Sequence, residues 1–292
     1  MRGGLVDFPS RNVKLFLRKE GAGSPILLMH GGPGADHCTL LSLLPLSNSH
    51  TLIFYDHRCN GRSKCADVAT MTWNNLVEDA EAIRNHLSFE KWTVVGHSFG
   101  GMVALEYAIR HSDRISQLVL LGAGADAWWV QRRLPTVFAK CGFSKRFVAM
   151  AERFYNGQIS AKQFKWSILQ LARAYYGNQS VAFMAKQAFL SMRIHSSASA
   201  FIYGSKFLLT GWSVMNQLAD ISCPTLIVAG ADDIFFPPEH QRELEKRISG
   251  ARPQIVRGAG HNVHVERTDE TIALIAGFVR NEAIKDIGNR KF

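Results

Sequence analysis

The chain has 292 residues, of which 47% are hydrophobic, 20% charged and 10% aromatic, enough apolar material for a large core and too much for a disordered or fibrous chain. Its longest apolar stretches, such as Ser116 to Ala123, fall well short of the roughly 18 residues that cross a bilayer, so no transmembrane span is expected. With 34 Lys+Arg against 24 Asp+Glu the formal net charge is +10, which raises nucleic acid, a membrane surface or an anionic substrate as partner until the charge is located.

Met1 to Val13 carries Arg2, Asp7 and Arg11 and no apolar segment suited to export, so a cytoplasmic protein is expected. Pro25 to His30 is a short apolar run that ends in His30-Gly31-Gly32-Pro33-Gly34, and Thr51 to Tyr55 is another that ends at Asp56. Both read as buried strands followed by loops. Thr72 to Leu87 has helical spacing with Thr72 as cap; Trp92 to Val95 reads as strand, Ser98 to Arg110 as helix and Gln117 to Leu121 as strand. This alternation implies a parallel sheet. After Gly122 come about ninety residues rich in Phe, Trp, Tyr and Met, broken at Pro135, Gly142, Gly157, Gly177 and Gly204, the pattern of a set of short helices. Alternation then resumes, with strand at Thr225 to Ala229, helix at Pro238 to Ile248, strand at Pro253 to Val256 and a last helix at Asp269 to Ile284. The economical architecture is an α/β core, residues 1–125 and 213–292, interrupted by a helical cap, 126–212.

Charge follows the same division. The cap holds twelve basic residues against two acidic ones, Asp126 and Glu152, so the flanking core carries 22 of each sign. The whole surplus therefore belongs to the insert. No recognisable nucleic-acid module accompanies it, and neither nucleic acid nor membrane is expected as partner. Cys38, Cys59, Cys65, Cys141 and Cys223 form an odd, scattered set without C-x-x-C pairs and are expected to be reduced thiols, not a disulfide framework or a zinc site.

Gly96-His97-Ser98-Phe99-Gly100 fits G-x-S-x-G, between a predicted strand and a predicted helix. A serine on such a turn presents its oxygen above the carboxyl edge of the sheet, but a hydroxyl needs a base, and the base needs an orienting acid. Downstream, Asp233 and His261 follow the strands that end at Ala229 and Val256, on the same edge as Ser98. They are assigned as acid and base. Asp232 and His264 compete for these roles; Asp232 reads better as a turn residue, and His264 as a packed or surface histidine beyond the loop. His30 and His97 flank the site by position and are expected to shape it. Donors for a tetrahedral oxyanion are expected from the backbone of Phe99 and of Gly32, which is preferred to Gly31; Pro33 has no N–H to give.

These segments resemble the α/β-hydrolase superfamily and, within it, the proline iminopeptidase-like branch. His30 to Gly34 resembles the branch's oxyanion loop, Gly96 to Gly101 its nucleophile turn, Asp56 to Ser63 its D-Q-R-G-x-G-x-S segment, and Gly230-x-x-Asp233 with Gly260-His261 its acid and base loops. The resemblance implies a mostly parallel central sheet flanked by helices, with the cap inserted after the sixth core strand. His57 and Cys59 depart from the pattern, standing where Gln and Gly are expected. In true iminopeptidases the cap supplies several carboxylates for the substrate's ammonium group, whereas this cap is strongly basic. Most of its aromatic residues read as core and the remainder as lining of an apolar pocket. The expected activity is that of a serine hydrolase of carboxylic esters, extending to lactones and small amides, on a small and in part anionic substrate. Neither metal nor cofactor is expected. An iminopeptidase is the alternative enzyme, and a non-catalytic receptor on the same fold is the alternative from another class.

Overall fold

The computed structural model describes residues 3–177 and 179–281. The chain opens with an antiparallel hairpin, β1 (Gly4–Phe8) and β2 (Val13–Glu20), that the sequence pattern does not announce, because Lys14, Arg18, Lys19 and Glu20 interrupt the apolar run of β2. Every apolar run read as a strand forms one: β3 (Ser24–Met29) and β4 (His50–Tyr55) come first. A two-residue β5 (Lys64–Cys65), α1 (Trp73–His86), β6 (Trp92–His97), α2 (Phe99–Arg110) and β7 (Ile115–Leu121) follow. Thr72 caps α1 as expected, its hydroxyl accepting from the Asn75 N–H. The intervening segment contains α3 (Leu134–Lys140), α4 (Lys145–Tyr155), α5 (Ala161–Tyr175), α6 (Val181–Ser191) and α7 (Ala198–Tyr203). Pro135 starts α3 instead of breaking a helix, since the first turn needs no N–H from it. β8 (Thr225–Gly230), α8 (Pro238–Arg247), β9 (Arg252–Val256), α9 (Val263–Glu266) and α10 (Thr268–Val279) are the last elements among the described residues; residues 282–284 of the expected last helix lie outside them.

The sheet runs β1-β2-β4-β3-β6-β7-β8-β9, with β5 beside β2. From β4 to β9 every pairing is parallel, and six strands of the main path precede the helical segment. Both faces of the central parallel strands are covered, so β3, β4, β6, β7 and β8 are apolar on both sides, and side chains still alternate. Leu27, Met29, Val94, Leu118 and Leu120 face α1 and α2, while Ile26, Leu28, Val95, Val119 and Leu121 face α10 and the turns of His37–Asn48. The helical segment leaves and re-enters the core at one point, where Asp126 bridges Ser213 and the Ala127 N–H donates to Trp212 O.

The expectation of uniformly reduced cysteines is corrected. Cys59 and Cys65 form a disulfide with Cα atoms 5.2 Å apart, while Cys38, Cys141 and Cys223 are free. The pairing follows from the loop after β4: β5 pairs with β2 and turns the chain back, bringing Cys65 beside Cys59, a relationship that a C-x5-C spacing alone does not reveal.

Candidate active site

The order of strands reverses between β3 and β6, since the chain passes from β3 outward to β4 and then returns to the other side of β3. A crevice opens at the carboxyl ends of strands around such a point. The loops after β3 and β6 carry Gly31-Gly32 and Ser98 to it.

Ser98 joins β6 to α2 with φ of 52° and ψ of −118°, a left-sided conformation that costs a non-glycine residue on the order of 1–3 kcal/mol and is held by its surroundings. Its N–H donates to Leu121 O at 3.0 Å, and its carbonyl accepts from Gly101 and Met102. The turn is tight enough that a Cβ on Gly96 would lie 2.7 Å from Gly101 Cα, and one on Gly100 would run into the Met29 carbonyl. His261 Nε2 lies 2.9 Å from Ser98 Oγ, and His261 Nδ1 lies 3.0 Å from Asp233 Oδ2. The other carboxylate oxygen of Asp233 accepts the N–H groups of Phe235 and Phe236, which fixes its plane. Asp233 and His261 are buried, whereas Asp232 is exposed and takes no part. His264 is packed away with Nε2 3.0 Å from Thr39 O, and burial lowers its pKa to about 4. Gly32 has φ of 128°, open to glycine alone, and Gly31, Gly32, Ser98 and Phe99 border the same cavity. Phe99 is the first residue of α2, so its N–H has no partner within the helix.

The model of the α/β hydrolase fold family matches residues 24–268. A proline iminopeptidase of Neisseria gonorrhoeae is 30% identical over 266 residues, 82% of this chain and 83% of its own. The chain belongs to the α/β hydrolase fold family. Among solved structures, the proline iminopeptidase of Mycobacterium smegmatis aligns with a TM-score of 0.74 at 21% identity over 96% of this chain and 98% of its own. The esterase of Exiguobacterium antarcticum aligns at 0.75 with 21% identity, over 96% of this chain and 100% of its own.

Around the serine, this hydrolase holds a cluster of neutral histidines. Burial pushes the pKa values of His30, His57 and His97 down, most strongly for His57 and His97. His97 Nε2 lies 3.3 Å from His261 O and its ring packs against Gly31, so it supports the His261 loop and the glycine loop together. Residues beyond the expected set brace the same loops. Asn60 Oδ1 accepts the Gly34 N–H at 2.6 Å, and Asp56 Oδ1 accepts the N–H and Nδ1 of His37, which follows the glycine loop. Glu266 Oε2 accepts from Gly260 N, Gly177 N and Gln179 Nε2 at 2.8–3.0 Å, tying the end of α5 to the residue before His261. Asn60 lies within the resembling segment and could have been singled out there; Glu266 sits on a four-residue helix with no motif around it.

The cavity has a volume of about 1190 Å3 and an apolar interior that includes Phe154, Phe164, Tyr175 and Phe201. Its charged lining residues are Lys165, Lys186 and Arg193; among the described residues no Asp or Glu lines it. Of the two acidic residues between 126 and 212, Glu152 is exposed and Asp126 accepts from the Trp128 N–H.

Proposed function

We propose that this hydrolase cleaves carboxylic esters, with lactones and small amides as further substrates, through an acyl-enzyme on Ser98. The observation that carries this choice is the hydrogen-bonded chain Ser98–His261–Asp233 opening into an apolar cavity whose charged lining is entirely basic. A free amino terminus would enter that cavity as an ammonium group against three like charges and, among the described residues, without a lining carboxylate to receive it. A neutral or anionic ester meets no such penalty.

In the proposed reaction Ser98 Oγ attacks the carbonyl carbon while His261 Nε2 takes its proton, and Asp233 holds the imidazole so that Nε2 faces the serine. The N–H groups of Gly32 and Phe99 receive the oxyanion. Collapse breaks the ester C–O bond, and the leaving oxygen takes the proton from His261. A water then loses a proton to His261, attacks the acyl carbon, and releases the acid as Ser98 regains its hydrogen. On this basis residues 126–212 act as a cap on a core formed by 1–125 and 213–292, a division supported by the Asp126–Ser213 bridge. The cytoplasm is kept as the compartment, where the Cys59–Cys65 pair would face a reducing thiol pool.

The names of the relatives favour a second reading, proline iminopeptidase. A panel of p-nitrophenyl esters of graded length, lactones and proline arylamides separates the two. Ester turnover that disappears in Ser98→Ala is the expected result, and preferential cleavage of the proline arylamide would overturn it.

A further inference from the structure

Helix α6 combines an apolar sequence, VAFMAKQAFLS, with a complete lack of buried residues. A helix rich in Val, Phe, Met and Leu is ordinarily covered, because exposing such side chains forfeits the hydrophobic contribution that would hold it to the core. The exposure is not spread over the molecule. Among the described residues, eight of the nine most exposed large apolar side chains lie between 128 and 207, and only Leu5 lies elsewhere. Leu169 on α5, Val181 on α6 and Met192 just beyond it are 57%, 87% and 72% exposed, and all three border the mouth of the cavity above Ser98. Trp166 and Phe189, on the same two helices, are 69% and 62% exposed and do not line the cavity.

Lys165, Lys186 and Arg193 stand among these side chains, exposed and without an ion-pair partner among the described residues. Large apolar side chains concentrated on one stretch of chain are seldom left on a free surface. The cations beside these side chains, on a segment whose charge surplus equals that of the whole chain, suit a surface that rests on anionic lipid, with aromatic and aliphatic groups in the acyl boundary and Lys or Arg at the headgroups.

We infer that α5, α6 and the turn to Arg193 form a docking face for an anionic membrane surface, with the mouth of the cavity turned towards the lipid. This departs from the expectation of no membrane partner, on the ground of the exposed apolar side chains beside the cations. Docking of this type needs no chemistry at Ser98, so it stands apart from the proposed activity, although it would bring apolar esters to the cavity directly from the bilayer.

The test is co-sedimentation of the full chain with vesicles of phosphatidylcholine alone and of phosphatidylcholine mixed with phosphatidylglycerol. Three cations at the surface predict affinity for the anionic vesicles about a hundred-fold above that for neutral ones, lost in high salt. The double variant Trp166→Ser/Phe189→Ser should bind about ten-fold more weakly or worse, with an unchanged thermal midpoint and unchanged turnover of a short soluble ester. Ser98→Ala should bind like the wild type, which separates docking from hydrolysis. Equal absence of binding to both vesicles would overturn the inference, as would wild-type binding by the double variant. So would a dimer in light scattering that the double variant abolishes, since the face would then belong to a second copy of the chain.

Discussion

His57 and His30 are joined twice: the His57 backbone N–H donates to His30 Nε2 at 3.0 Å, and His57 Nε2 lies 3.2 Å from the His30 carbonyl. His30 Nδ1 in turn lies 2.7 Å from Gly31 O. One arrangement of protons satisfies all three contacts, with His30 carrying its hydrogen on Nδ1 and His57 on Nε2, both rings neutral. The strand end that launches the glycine loop is thus clasped by the residue that departs from the Gln of the resembling segment. His57→Ala would leave the His30 carbonyl short of a buried donor at a cost of about 1–3 kcal/mol, and would loosen the position of Gly32. The expected outcome is a lower thermal midpoint and about a ten-fold loss in kcat with little change in KM, as for a defect in oxyanion support. His57→Gln retains a side-chain donor and should recover most of both. Equal loss in the two variants would show that the donor is not what matters.

The neighbouring carboxylates Asp232 and Asp233 offer an internal control. Asp233 Oδ2 faces His261 Nδ1, whereas Asp232 is exposed. In Asp233→Asn the amide can donate to Nδ1 and so favour the tautomer with hydrogen on Nε2, which cannot accept from Ser98. A fall in kcat of roughly 10³–10⁴ is expected for ester hydrolysis, against less than about two-fold for Asp232→Asn. Comparable losses in both would remove Asp233 from the assigned role.

Acid should unfold this protein earlier than its carboxylates alone would dictate. Burial depresses the pKa values of His30, His57, His97, His240 and His264, the last two to about 4. The unfolded chain takes up these protons near pH 6.5 and the folded chain only at lower pH, so unfolding binds protons throughout the interval between. Stability is therefore fully present above about pH 6.5 and declines as the pH falls towards 4, each histidine contributing up to about 1.4 kcal/mol per pH unit. Glu266 acts in the opposite sense, because burial raises its carboxyl, but it is one group against five. Urea unfolding at a series of pH values should show uptake of several protons on unfolding near pH 5. Uptake of one proton or fewer would contradict the neutral histidine cluster.

The sheet and the serine turn were legible because their signals are local. Apolar runs of four to six residues mark the parallel strands, and G-x-S-x-G between a strand and a helix marks Ser98. Asp233 could be preferred to Asp232 through the Gly230-x-x-Asp233 match to the resembling acid loop, yet the physical distinction between them, burial and two backbone donors, is tertiary. The antiparallel hairpin at the amino terminus was not legible, since β2 is half charged and gains its place by pairing with β4. The Cys59–Cys65 bond depends on where β5 lands, and Glu266 depends on three donors from two distant segments meeting at one oxygen. Neither relation leaves a periodic trace in the chain. The basicity of residues 126–212 and its bearing on the pocket were readable; the placement of Lys165, Lys186 and Arg193 at the mouth of the cavity was not.

That placement leads to a prediction about substrate charge. Lys165, Lys186 and Arg193 border the cavity, face solvent and have no carboxylate among the lining residues to neutralise them. Such exposed charges act on an approaching ester mainly through a field that salt screens, the Debye length shrinking from about 30 Å at 0.01 M to about 10 Å at 0.1 M. A half-ester of a dicarboxylic acid should therefore be favoured over a neutral ester of equal length at low ionic strength, and the ratio of their kcat/KM values should fall about five- to ten-fold as salt is raised. The neutral ester serves as the reference because any effect of salt on the fold or on the bound transition state changes both substrates alike. Replacing the three cations by Gln should flatten the ratio across the salt series while leaving Ser98-dependent turnover of the neutral ester in place. If the two esters respond identically to salt in the unmodified protein, the basic mouth plays no part in choosing the substrate.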